Sequence, residues 1–173
     1  MGATRKLTQT VDAVGREIEA EHFVGERVAI LDMSAASGLW RMQISELNPM
    51  YASTFGTGIQ VRRLIEAEMP RILIGLGGSA TSDAGLGMAA ALGYKFYSDN
   101  GDPVVPSPAR FCDIAAIEPP ADLQCPECIG LSDVETRLTG PNGAIHTFGP
   151  QKGTQTASDR AARQRSEGIG LSN

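Results

Sequence analysis

The stretch Arg71–Gly87 reads RILIGLGGSATSDAGLG, and its reading decides the fold class. Ile72, Leu73 and Ile74 make a short apolar run suited to a buried strand, and the run breaks at Gly75, Leu76, Gly77 and Gly78. Ser79, Thr81, Ser82 and Asp83 then lead into a stretch rich in Gly and Ala. The pattern predicts a strand, a glycine turn and a helix start. Glycines reach positive φ and let an anion approach backbone N–H groups, while the hydroxyls and Asp83 suit the caps of a helix N-terminus. Phosphate fits such a loop. A capped strand-to-helix turn with no ligand fits the same spacing. No Gly-Lys-Ser/Thr closes the loop, so it is not a Walker A loop, and Gly75-Leu76-Gly77-Gly78 matches the dinucleotide fingerprint only loosely.

Upstream, Arg27–Asp32 reads as a second short buried strand, followed by the small residues Ser34 to Gly38. Ligands of open α/β sheets gather beyond the carboxyl ends of strands, which makes Asp32 a candidate contact, although a strand-ending Asp is also a common helix cap. Trp40 reads as core. Thr54-Phe55-Gly56-Thr57-Gly58 enters an amphipathic helix over Ile59–Met69, where the glycines serve either an anion or tight packing. Downstream, Ala84–Gly93 predicts a helix lying close to the sheet, Tyr94–Tyr97 a strand, and Asn100-Gly101-Asp102-Pro103 a turn. Cys128–Asp133 reads as a third strand ending in an acid, and Lys152 in Phe148–Gly153 is a point charge that suits phosphate.

Toward the amino end, Val11, Val14 and Ile18 within Leu7–Ala20 predict a surface helix with one buried stripe. From Thr154 onward few large apolar residues remain, which predicts a weakly anchored helix or frayed tail. Strands alternating with helices give an α/β class, a layered sheet with flanking helices.

The composition narrows function. With 173 residues the chain suits one compact unit, and 15 Lys and Arg against 20 Asp and Glu, a formal charge of -5, give no basic surface for nucleic acid. No run approaches the ~20 apolar residues of a membrane helix, and MGATRKLTQT lacks a signal-peptide core, so a cytoplasmic location is expected. Three cysteines argue against a disulfide scaffold, and Cys125-Pro126-Glu127-Cys128 has no second paired motif to complete a zinc site, so no metal-ligand set is expected.

Several ordered blocks together resemble the bacterial glycerate kinase family. They are Leu31 to Leu39, Asn48-Pro49, Thr54 to Gly58, Ile74 to Gly87, Ala91-Leu92-Gly93, Gly140 to Ala144 and Phe148 to Gly153. The resemblance covers roughly 10 to 155, and its GGSAT-x-D-x-G and FGPQKG blocks are far more specific than a lone glycine motif. It implies transfer of the ATP γ-phosphoryl group to a hydroxyl of D-glycerate with Mg2+. In that scheme Gly77, Gly78, Ser79, Thr81 and Asp32 contact phosphate or substrate, Asp83 and Asp133 orient metal or hydroxyl, and Lys152 neutralises charge. Family chains are roughly double this length and carry an Asp-Ser-Phe-Lys-Gly block that this sequence lacks. The chain resembles mostly the inserted one of the family's two α/β domains. That assigns 1–155 to a glycerate kinase-like domain and 156–173 to a divergent tail, and leaves former interface available for self-association. The usual Asp-Val-Asp-Asn-Pro-Leu appears as Asp133 to Leu138 without its Asn-Pro turn, and Asp32 stands where Glu is usual. Two other readings stand beside the kinase: a non-catalytic binding or interaction module of the same family, and a nicotinamide-dependent oxidoreductase suggested only by the loose glycine pattern.

Overall fold

The computed structural model describes residues 2–137 and 142–154. A five-stranded sheet organises it, built from β1 (Thr4–Val11), β2 (Glu17–Val24), β3 (Ala29–Asp32), β4 (Arg71–Gly75) and β7 (Glu127–Leu131), side by side in that order. β1, β2 and β3 are antiparallel neighbours, whereas β3, β4 and β7 run parallel. The three strands of the parallel part therefore end on one edge of the sheet, carrying Asp32, Gly75 and Leu131 there.

Alternation along the strands sets the two faces. Ala29, Leu31, Ile72 and Ile74 point to one side and are buried with Val61, Leu64 and Met69. The chief helix on that side is α2 (Phe55–Glu66), whose apolar stripe Val61, Leu64 and Ile65 follows helical spacing. α3 (Leu86–Ala91) lies across α2, and small residues permit the approach. A Cβ on Gly58 would sit 2.6 Å from the Ala91 Cβ. On the opposite face Phe23, Ile30, Leu73 and Ile129 fall in one register line, and Phe23 and Ile30 each stay 40% exposed.

The remaining elements close the edges. α1 (Ser34–Ser37) follows β3 directly, and its Ala35 and Ala36 pack on Ala20 of β2. β5 (Lys95–Tyr97) pairs with β6 (Ala116–Glu118) in a separate two-stranded sheet. The turn at Asn100-Gly101 forms as expected, with Gly101 at φ +82 and the Ser98 N–H donating to the Asp102 carbonyl at 2.9 Å. α4 (Ala144–Phe148) and a 3-10 turn at Pro150–Lys152 end the described chain. The divergent tail over 156–173 lies outside the described residues, as do Gly140 and Pro141.

Two expectations are corrected. Leu7–Ala20 is a β-hairpin, β1 and β2 paired from Thr4↔Val24 to Val11↔Glu17, and no helix. Period-two alternation buries Thr8, Thr10, Ala20 and His22, while Gly15 at φ +88 turns the chain inside an Asp12 cap. Trp40 is not core. It is 68% exposed, its indole N–H donates to the Ser34 carbonyl at 2.8 Å, and the Arg41 guanidinium stacks 4.3 Å from its ring centroid.

Candidate functional site

The glycine loop leaves β4 at Gly75 and reaches α3 only at Leu86, so no helix N-terminus opens directly from the glycines. Backbone bonds fasten the loop to the segment after β3. The Leu39 N–H donates to the Gly78 carbonyl at 2.9 Å, the Ala80 N–H to the Ser37 carbonyl at 2.8 Å, and Gly38 and Ser79 form an antiparallel bridge. Gly78 takes φ +65, a conformation open to glycine and strained for other residues. Nothing lies within 4 Å of a Cβ built on Gly77, so that face of the loop is open to a ligand.

Three of the sequence candidates share one cleft. Asp32, Gly77 and Asp133 line a shallow depression of about 490 Å³ beyond the carboxyl ends of β3, β4 and β7. The Asp32 Oδ1 accepts the Ser34 N–H at 2.8 Å in a local turn just before α1, and a Cβ on Gly75 would stand 3.0 Å from its Oδ2. One Asp32 oxygen thus serves the local turn, and the residue lines the depression. Asp133 is exposed at the start of the following loop.

Ser79, Thr81 and Lys152 form a second group. The Lys152 ammonium donates to the Ser79 hydroxyl oxygen at 3.0 Å and to the Thr81 carbonyl at 2.6 Å. Burial pushes this ammonium below the ordinary Lys range, against the opposing pull of the Asp83 carboxylate. Gly153 at φ +94 turns the chain at this point, and a Cβ there would meet the Leu47 carbonyl at 2.5 Å.

Asp83 is buried at 1% exposure, near enough to Lys152 to act on its charge. Its Oδ2 accepts the Thr54 N–H and hydroxyl at 2.8 Å each and the Gly87 N–H at 3.1 Å, while its Oδ1 accepts the Gly85 N–H at 3.2 Å. The Thr54 hydroxyl in turn accepts the Met88 N–H at 2.9 Å. One carboxylate thus holds the start of α2 and the first turn of α3 together. Sequence reasoning did not single out Thr54 as its partner, because the two lie 29 positions apart and only the fold joins them.

The second glycine entrance resolves in favour of packing. A Cβ on Gly56 would lie 1.8 Å from the Val11 carbonyl oxygen, and the Gly56 carbonyl accepts the Thr10 hydroxyl at 2.7 Å. Cys112, Cys125 and Cys128 are exposed free thiols, and the described residues contain no group of three or more His, Cys, Asp or Glu placed to hold a metal.

The model of the glycerate kinase family matches residues 1–167, beyond the span of the blocks at both ends. The chain belongs to the glycerate kinase family. Family relatives include glycerate kinase of Neisseria meningitidis serogroup B, 32% identical with 92% of this chain and 44% of the relative covered. Glycerate 2-kinase of Escherichia coli K12 is 35% identical over 76% of this chain and 35% of its own. A crystal structure of a protein assigned as glycerate kinase 2 from Salmonella typhimurium LT2 superposes with a TM-score of 0.83 at 29% identity, covering 95% of this chain and 47% of that one. The chain therefore spans less than half the length of these family relatives. No helix among the described residues is long and apolar enough to cross a membrane.

Proposed function

We propose that this chain carries part of an ATP- and Mg2+-dependent site that phosphorylates a hydroxyl of D-glycerate. The observation that carries the reading is Lys152 held on Ser79 and Thr81 beside the positive-φ glycine loop, at the sheet edge that also presents Asp32 and Asp133. Phosphoryl transfer asks the protein for positioning and charge neutralisation more than for covalent chemistry. The glycerate hydroxyl oxygen bonds to the γ-phosphorus, the bond to the β–γ bridging oxygen breaks, and the hydroxyl proton leaves to a carboxylate.

In this assignment the backbone of Gly77 and Gly78, open at Gly77, faces phosphate or substrate with Ser79 and Thr81, and Lys152 offsets the phosphate charge. Asp133 and the free oxygen of Asp32 orient the hydroxyl or hold the magnesium ion. Two carboxylates in one cleft suit Mg2+, which takes one or two protein oxygens and fills its remaining positions from phosphate and water. When bound, the ion neutralises charge on the transferring phosphate. Asp83, with its oxygens taken up by backbone and Thr54, is a positioning residue here.

A second reading, a non-catalytic binding domain of the same family, rests on the short span relative to the family relatives. The loose dinucleotide reading loses support from the delayed start of α3. ADP formation from purified chain, D-glycerate and MgATP, with Asp133→Ala as control, separates the first two. Turnover lost in the control is the expected result, and a folded chain with no turnover favours the binding domain.

A further inference from the structure

We propose that a cavity on the side of α3 bounded by β5 is a binding site for an uncharged planar aromatic ring with the dimensions of a nucleoside base. Five of the chain's nine aromatic side chains line it, including all three tyrosines, Tyr51, Tyr94 and Tyr97. Phe96 is buried at 3% exposure, whereas Tyr51, Phe55, Tyr94 and Tyr97 all keep exposed surface and belong to none of the core clusters. The cavity volume of about 750 Å³ falls within the range of small-molecule sites.

Its walls come from separate elements. Gly87 and Ala90 of α3 leave the floor low, β5 and the segment after it form one side, and Tyr51 with Phe55 forms the other. Phe55 is 41% and Tyr51 66% exposed, so flat apolar surface stands open at the mouth. Rings in that position stack on a planar guest, and such stacking tolerates varied bases because each has a π-face.

Charge decides the class of guest. The cations at the rim are already paired, Lys95 with Glu118 and Arg110 with Asp113, each at 2.9 Å, and Asp12 is bound by Arg16. A free anion gains little there, and an uncharged ring gains most. No lining residue is shared with the cleft of Asp32 and Asp133, so this site is separate in space from the one assigned to phosphate and stands without that assignment. The ring has two sources, the base of a nucleotide phosphoryl donor or an independent aromatic ligand.

The test is calorimetric titration of the purified chain with adenosine, beside Tyr51→Ala and Tyr94→Ala. Thermal melting confirms that both variants fold, and the exposure of Tyr51 makes its loss tolerable. Saturable binding weakened by about tenfold or more in each variant is the expected result. Absence of saturable binding by the wild-type chain, or affinity unchanged in both variants, overturns the site. Repeating the titration with MgATP or with inorganic tripolyphosphate present separates the sources. Competition by MgATP alone assigns the ring to the donor nucleotide, and adenosine binding undisturbed by both assigns it to an independent ligand.

Discussion

Lys152 and Thr81 lie 71 positions apart in the chain and meet at 2.6 Å, the ammonium donating to the carbonyl. The same ammonium reaches the Ser79 hydroxyl, so a single charge ties the end of the described chain to the glycine loop. Replacing it by a neutral side chain of similar length, Lys152→Met, removes both the charge and the tie. Under the proposed function, glycerate phosphorylation is expected to fall by roughly 10²-fold in that variant, and Lys152→Arg, which replaces a compact ammonium with a larger planar fork, recovers little of it. Steady-state ADP formation measures both, and activity within twofold of wild type in Lys152→Met sinks the assignment.

Asp83 offers a prediction on stability. Its carboxylate accepts four hydrogen bonds in a buried position, and Asp83→Asn turns one acceptor into an NH2 group facing N–H donors. The expected loss is about 2–3 kcal/mol, read by urea denaturation. Thr54→Val removes one member of the same cluster and is expected to cost less. Losses that add in the double variant would show that the two residues act independently, contrary to their contact.

Gly58 tests the packing of α2 on α3. Gly58→Val places methyl groups where even a Cβ stands 2.6 Å from Ala91 and 2.7 Å from the Met88 backbone. The helices must separate, at a cost of about 1–3 kcal/mol or more. Substitution at Gly77, where a Cβ meets nothing, leaves the melting temperature nearly unchanged and so serves as the control.

Acid weakens the fold in two stages. Burial, with the charge of Lys6 adding to it, holds the His22 imidazole below its ordinary value of 6.5. The unfolded chain thus takes up this proton first, and stability falls as the pH drops through 6.5. For Asp12 burial alone raises the carboxyl, but hydrogen bonds from Arg16 and Val14 outweigh it and the net position lies below 3.8. Its contribution is complete above 3.8 and is lost as the pH falls toward the lower folded value. Unfolding free energies measured from pH 7 downward should therefore decline first near the His value, and His22→Gln should flatten that first decline only.

The line of Phe23, Ile30, Leu73 and Ile129 across the open sheet face predicts concentration-dependent self-association. Parallel strands are ordinarily covered on both faces, and among the described residues the helices stand on one. Sedimentation should show association that Ile30→Lys reduces. A monomer across the whole accessible concentration range argues that the face is innocuous.

Much of the parallel core was legible from local signals. Arg27–Asp32 and Ile72–Ile74 are short apolar runs ending in an acid or in glycine, and both form neighbouring strands. The amino-terminal hairpin was misread because Val11, Val14 and Ile18 happen to fall at helical spacing. The alternation in Glu17-Ile18-Glu19-Ala20-Glu21-His22 and the glycine at position 15, which breaks a helix and suits a turn, were the stronger signals there. At the candidate site, Asp32 does end β3, whereas Asp133 lies two residues beyond the end of β7 at Leu131, and the two acids line one depression. The burial of Asp83 was not legible, since an Asp after a glycine loop reads the same whether it faces a ligand or two backbone turns. Trp40 failed for a similar reason, since an aromatic residue in a partly apolar stretch reads as core whether it is buried or, as here, left exposed beside the Arg41 guanidinium.

The order in which the ribosome releases this chain gives the Lys152 contact a further meaning. All five strands of the main sheet are complete once Leu131 has emerged, so the scaffold is able to form while the ammonium that fastens the glycine loop is still inside the exit tunnel. Until that last turn arrives, nascent protein presents the loop without its tether. A premature stop between Leu131 and Lys152 would therefore yield a sheet whose glycine loop keeps its backbone bonds to Ser37 and Leu39 but lacks the ammonium, a difference that ligand titration would expose.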